Sequence, residues 1–177
     1  SGANTSYSGT TTLSTGSQQG KNTATTDVLT AFGSGDINLD GGTLQLRANG
    51  SGNGGKTIVA GNNVVIGSTA VTINVGNNGG NSQNTISFGN LSIGTGQLNV
   101  TGSNNYNLRF GGTTTLTGDA TINTTSASLS LVDVISGGFG LTKPGAASSY
   151  ASTPAGVLTL SGANTYTGVT AVFDGVL

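Results

Sequence analysis

Cysteine, histidine, methionine and tryptophan are all missing from these 177 residues, and all six acidic residues are aspartate. Without cysteine there is no disulfide staple and no thiolate metal site. Without histidine or glutamate, general acid–base chemistry falls to six aspartates and three lysines. Lys and Arg together number five, too few to neutralise a run of phosphates, so no nucleic-acid partner is expected. No run of eighteen apolar residues occurs, and no membrane insertion by this segment is expected. The opening Ser1-Gly2-Ala3-Asn4 does not read as a signal peptide. A secreted origin would then place the signal upstream.

What is present is Gly, 32 residues of it, among abundant Asn, Thr and Ser, with only 6% charged residues. Such a mixture raises disorder first, because little apolar surface is on hand to offset chain entropy. The aliphatic residues nevertheless alternate, as in Ile37-x-Leu39, Leu44-x-Leu46 and Leu98-x-Val100. Alternation is the pattern of a strand with one buried face. A net charge of −1 gives no reason for the chain to expand, and an ordered β protein is expected.

The strands recur. Ile37-Asn38-Leu39, Val64-Val65-Ile66 and Leu91-Ser92-Ile93 are 27 residues apart, and Thr114-Thr115-Leu116 follows after 23. A second column runs Leu44-Gln45-Leu46, Val71-Thr72-Ile73, Leu98-Asn99-Val100 and Ala120-Thr121-Ile122. A third holds Ile58, Ile86-Ser87-Phe88, Leu108-Arg109-Phe110 and Leu129-Ser130-Leu131. Each turn of sequence thus carries three short strands in roughly 22–28 residues. The connections between second and third columns vary most and are rich in Gly and Asn, which tolerate positive φ. A solenoid absorbs such variation, since each coil touches only its neighbours, and the corner loops would form a ridge suited to recognition.

The expected fold is all-β: a right-handed parallel β-helix, or β-solenoid, in which residues 1–177 form a single segment. An antiparallel sandwich or barrel fits the short strands but not the fixed period. Outward positions are expected to hold Thr, Asn, Gln and Ser, accounting for Thr10-Thr11-Thr12 and Thr113-Thr114-Thr115.

Residues 140–177 carry the clearest motif. They read Gly140-Leu141-Thr142-Lys143-Pro144-Gly145, then Leu158-Thr159-Leu160-Ser161-Gly162-Ala163-Asn164-Thr165-Tyr166-Thr167-Gly168, and close in Gly175-Val176-Leu177. This resembles the autotransporter-associated β-strand repeat of type V secreted and other large bacterial surface proteins. A degenerate copy opens the chain at Ser1-Gly2-Ala3-Asn4-Thr5, with Tyr7 and Thr10-Thr11-Thr12-Leu13 following. Ala146 to Ala155, with Pro154, reads as an inserted loop, and Val169 replaces a usual Gly. The resemblance implies a scaffold in an extracellular or cell-surface setting, and it names no activity. The motif at both ends implies a longer tandem array. Neither end offers an evident polar cap, so end-to-end self-association into a filament is expected.

Catalysis is not expected. The aspartates are Asp27, Asp36, Asp40, Asp119, Asp133 and Asp174, and only Asp36 and Asp40 are close in sequence, where a glycosidase needs a facing pair. Asp36-Ile37-Asn38-Leu39-Asp40-Gly41 matches the first half of a calcium loop, but the closing acid position is Arg47. The alternative is a strand with Asp36, Asn38 and Asp40 facing outward. Gly50 to Gly55 lacks the following helix of a phosphate loop. Tyr7, Tyr106, Tyr150 and Tyr166 would stack on sugars if exposed and otherwise pack. Flat threonine arrays of the ice-binding kind are not expected, because no Thr-x-Thr recurs in place on each coil. The reading is a rigid extracellular stalk or filament unit that binds neighbouring copies, glycans or matrix. A non-catalytic carbohydrate-binding or adhesin module is the second reading. No cofactor or metal is expected.

Overall fold

The structure, a computed structural model, describes residues 6–22, 26–145 and 156–173. Its strands fall in groups of three. The first coil holds β1 (Thr11–Leu13) and β2 (Ser17–Asn22), and closes with Val28 bridged to Val59. The second holds β3 (Ile37–Leu39), β4 (Thr43–Ala48) and β5 (Thr57–Val59); the third β6 (Val64–Ile66), β7 (Val71–Gly76) and β8 (Thr85–Phe88). The fourth holds β9 (Leu91–Ile93), β10 (Gln97–Gly102) and β11 (Asn107–Phe110); the fifth β12 (Thr114–Leu116), β13 (Ala120–Thr124) and β14 (Leu129–Leu131). The sixth holds β15 (Ile135–Ser136), β16 (Leu141–Lys143) and β17 (Leu158–Leu160), and β18 (Thr170–Val172) follows.

Every ladder is parallel, and the strands stack into three sheets: β1-β3-β6-β9-β12-β15, then β2-β4-β7-β10-β13-β16-β18, then β5-β8-β11-β14-β17. The chain is therefore a parallel β-solenoid with three strands per coil. Among the described residues there is no helix, and none long and apolar enough to cross a membrane.

Alternation puts one continuous core inside the three sheets. In the third sheet Ile58, Ile86, Leu108, Leu129 and Leu158 stack in register, as do Phe88, Phe110 and Leu131, with the two Phe rings stacked at 5.8 Å. In the first sheet Leu13, Leu39, Ile66, Ile93 and Leu116 do the same. Each such side chain contributes roughly 1.5–3 kcal/mol of gross burial. The first and third columns of the sequence are reproduced residue for residue.

The second column is not. Leu98 lies beside Val71 as expected, but Leu44 pairs with Ile73 and Leu98 with Ile122, two residues beyond the expected Val71 and Ala120. The corner absorbs the difference: three residues separate Leu39 from Thr43, and five separate their partners Ile66 and Thr72. A slip of two keeps every inward side chain inward, so burial does not oppose it. Coil spacing accordingly ranges from 21 residues, Thr114 to Ile135, to 31, Val28 to Val59. The threonine triplets also divide: Thr113 and Thr115 are exposed, while Thr114 points inward and is fully buried.

Neither end is expected to carry an evident polar cap, and at the first coil the second-sheet strand turns polar inside. There the inward positions above Ile37, Leu44, Leu46 and Ala48 hold Thr11, Gln18, Gly20 and Asn22. Phe32, 3% exposed, folds back over Gly20, where a Cβ would stand 2.3 Å from its ring. The first coil thus combines polar inward positions on its second-sheet strand with three buried apolar residues, Leu13, Leu29 and Phe32. The last coil differs, with Val169, Val172 and Phe173 exposed.

The two motif copies also occupy different places. After Tyr7, β1 joins the first sheet; after Tyr166, β18 joins the second. The amides of Thr165 and Tyr166 both donate to the Ile135 carbonyl, so this segment covers the first sheet itself and its strand falls one sheet later. Ser1 to Thr5, the expected insertion Ala146 to Ala155, and the closing Gly175-Val176-Leu177 lie outside the described residues.

Candidate functional site

The five described aspartates do not converge. Asp27 lies in the corner between second and third sheets of the first coil, Asp36 and Asp40 flank β3, Asp119 precedes β13, and Asp133 precedes β15. Asp36 and Asp40 are separated by four residues of extended chain, roughly 13 Å, beyond the carboxylate spacing of either glycosidase geometry. The calcium half-motif is likewise drawn out. β3 is straight strand, so Asp36, Asn38 and Asp40 lie in line, with neighbouring members about 7 Å apart, and do not curl around one point. Among the described residues no three acidic side chains come together as a metal site. Asp174 and Tyr150 lie outside the described residues.

Several of these groups serve the corners. Asp36 accepts from Asn63 Nδ2 at 3.0 Å; Asn63 Oδ1 accepts from the Asn90 amide, and Asn90 Oδ1 from the Thr113 amide, each at 3.0 Å. This ladder climbs the corner that leads into the first sheet, one rung per coil. A Cβ on Gly89 or Gly112 would stand 2.8 or 2.1 Å from the Asn63 or Asn90 oxygen, so glycine precedes Asn90 and Thr113, the residues whose amides those oxygens cap. Asp119 caps the Gly140 amide at 2.8 Å. Asp27 takes both the amide and hydroxyl of Ser51, at 2.8 and 2.7 Å, and these bonds hold its pKa below 3.8. Sequence reading missed the ladder, although Gly35-Asp36 and Gly89-Asn90 were visible signals of it.

The loop ridge between second and third sheets is tied down from within. Asn84, fully buried, donates to the carbonyls of Asn49 and Gly52 at 3.2 and 2.8 Å and accepts from the Lys56 amide at 3.2 Å. The Tyr106 hydroxyl reaches across two coils to the Asn49 carbonyl at 3.0 Å. Burial raises the Tyr106 pKa, and the bond from Asn84 partly offsets this. Tyr106 is a packing residue. Among the described residues the exposed aromatics do not form a row: Tyr7 is on the first coil, Phe139 and Phe173 are on the last.

The broadest surface is the outer face of the second sheet. Four of its strands, β2, β4, β7 and β10, have six residues each, giving a plateau roughly 20 Å wide. One outer row runs Gln19, Gln45, Asn74 and Thr101, joined by bonds from Gln19 to Gln45 at 3.0 Å and from Asn74 to Thr101 at 2.6 Å. A second runs Thr43, Thr72, Asn99 and Asn123. The third places Lys21 directly beside Arg47, with Gly76 next. Arg47 lies over Gly76 and donates to the Leu46 and Asn74 carbonyls at 3.0 and 3.1 Å and to Asn74 Oδ1 at 2.5 Å. Partial burial lowers its pKa.

Compared with known proteins, the chain matches no protein-family model, no curated protein and no solved structure.

Proposed function

We propose that this chain is a rigid structural unit of a bacterial surface or secreted protein, working as a stalk or filament segment that presents its outer faces for adhesion. The observation that carries this reading is the double stack. A continuous apolar core inside and polar ladders outside both run from coil to coil, so the sequence is devoted to maintaining a rod. The described aspartates are scattered along the corners, which supports a structural reading. The resemblance of residues 140–177 to autotransporter-associated repeats supports the extracellular placement.

The test has two arms. Small-angle scattering from the purified chain is expected to give a rod about 30 Å long, six to seven coils at about 4.8 Å each. Negative-stain microscopy across a concentration series then reads assembly. Growth into thin uniform filaments supports stacking through the exposed Val169, Val172 and Phe173 end. Short rods at every concentration confine the role to a stalk. Antibody labelling of intact producing cells is expected to be positive, and labelling only after permeabilisation overturns the surface assignment.

A further inference from the structure

We infer that the outer face of the second sheet binds an acidic polysaccharide, gripping its uronate carboxylates with Lys21 and Arg47. The inference rests on the reading of this rod as an adhesive surface and names the ligand chemistry.

Charge is the first argument. The chain has five cationic residues, and two of them sit side by side on adjacent parallel strands, facing outward. Like charges directly across a ladder oppose sheet pairing. Among the described residues no carboxylate lies on this face: its neighbouring rows are Gln19, Gln45, Asn74, Thr101 and Thr43, Thr72, Asn99, and the described aspartates lie at corners. The pair therefore has a positive field suited to an anion.

Arg47 is also held in place for the task. Three of its five N–H donors are spent on Leu46 and Asn74, which fixes the guanidinium against the sheet. It packs over the backbone of Gly76, with Nη1 3.5 Å from where a Cβ would stand. Two donors of the fork are left for a carboxylate, and the exposed Lys21 ammonium adds a mobile point charge.

The remaining face selects the kind of anion. It is flat, about 20 Å across, and lined with amides and hydroxyls that match sugar hydroxyls. It carries no aromatic side chain in these rows, so neutral sugars find no stacking platform. A nucleic acid is a poorer fit, since two cations cannot neutralise its dense phosphate charge on a chain of net charge −1. A uronate chain has one carboxylate per sugar and an otherwise hydroxylated surface.

The test is calorimetric titration of the intact chain with polygalacturonate and, separately, with dextran, at low and at physiological salt. Polygalacturonate is expected to bind, more weakly as salt rises, and dextran is not. Lys21→Gln, at an exposed site outside the ladder bonds, is expected to bind about tenfold more weakly. Lys21→Gln with Arg47→Gln is expected to lose binding. Arg109→Gln, which removes the same charge from the third sheet, is expected to bind as the parent does. Equal binding of dextran, unchanged binding by Lys21→Gln, or no binding by a chain that scatters as a rod overturns the inference and leaves the scaffold reading intact. A chain that does not scatter as a rod overturns the scaffold reading instead.

Discussion

Thr114 shows how closely this core depends on single side chains. It stands between Leu91 and Ile135, fully buried, and its hydroxyl has no partner. A buried hydroxyl without a hydrogen bond costs free energy that an isosteric methyl does not. Thr114→Val is expected to stabilise the chain by about 1 kcal/mol, read as a higher urea midpoint with an unchanged slope. Asp27 gives the pH counterpart. Its folded pKa lies below 3.8 because Ser51 donates twice to it. A lowered carboxylate pKa contributes stability above the unfolded value, and that contribution disappears as pH falls through the folded one. The melting temperature is expected to drop as pH is lowered below about 4, and Asp27→Asn is expected to flatten that part of the profile. An identical profile in the variant would show that the Ser51 contact has no thermodynamic weight.

At the scale of the element, the corner matters as much as the strand. Gly112 has to be glycine for a steric reason, since a Cβ would stand 2.1 Å from the Asn90 oxygen that caps the Thr113 amide. Gly112→Ala is expected to displace that side chain and destabilise by about 1–3 kcal/mol. Gly138→Ala, where a Cβ meets nothing within 4 Å, is expected to stay within about 0.5 kcal/mol of the parent. Equal effects in the two variants would remove the ladder from the account. The same corners mark where sequence reading ends. Strand identity was legible because one-residue errors turn apolar side chains outward, and so the first and third columns came out in register. The Leu44–Ile73 pairing was not, because a two-residue slip preserves the face and only the corner length reports it. The candidate site was less legible still. Lys21 and Arg47 are 26 residues apart in sequence, and their adjacency follows from the β2–β4 register. The Asn49–Asn84–Tyr106 knot joins three loops of different lengths, which no fixed period anticipates.

At the scale of the whole molecule, a stack in which each coil meets only its neighbours loses stability locally. The first coil tests this most cleanly, because its inward positions include Thr11, Gln18, Gly20 and Asn22 and Phe32, with Leu13 and Leu29, supplies its apolar closure. With the ring truncated, Gly20 offers no side chain to fill the space it leaves, and the layer above Leu44 and Leu46 opens to water. Phe32→Ala is expected to cost about 3–5 kcal/mol at the site. The loss should not spread evenly, because the third to fifth coils keep both neighbours and their full ladders. Hydrogen exchange is expected to show β1 and β2 losing protection, β3 to β5 weakening partly, and β9 to β14 remaining as in the parent. Uniform loss across all coils would mean that the solenoid unfolds as one cooperative unit. In that case Phe32 would act as a keystone of the whole rod, and cutting or extending the stack at either end would change the stability of every coil in it.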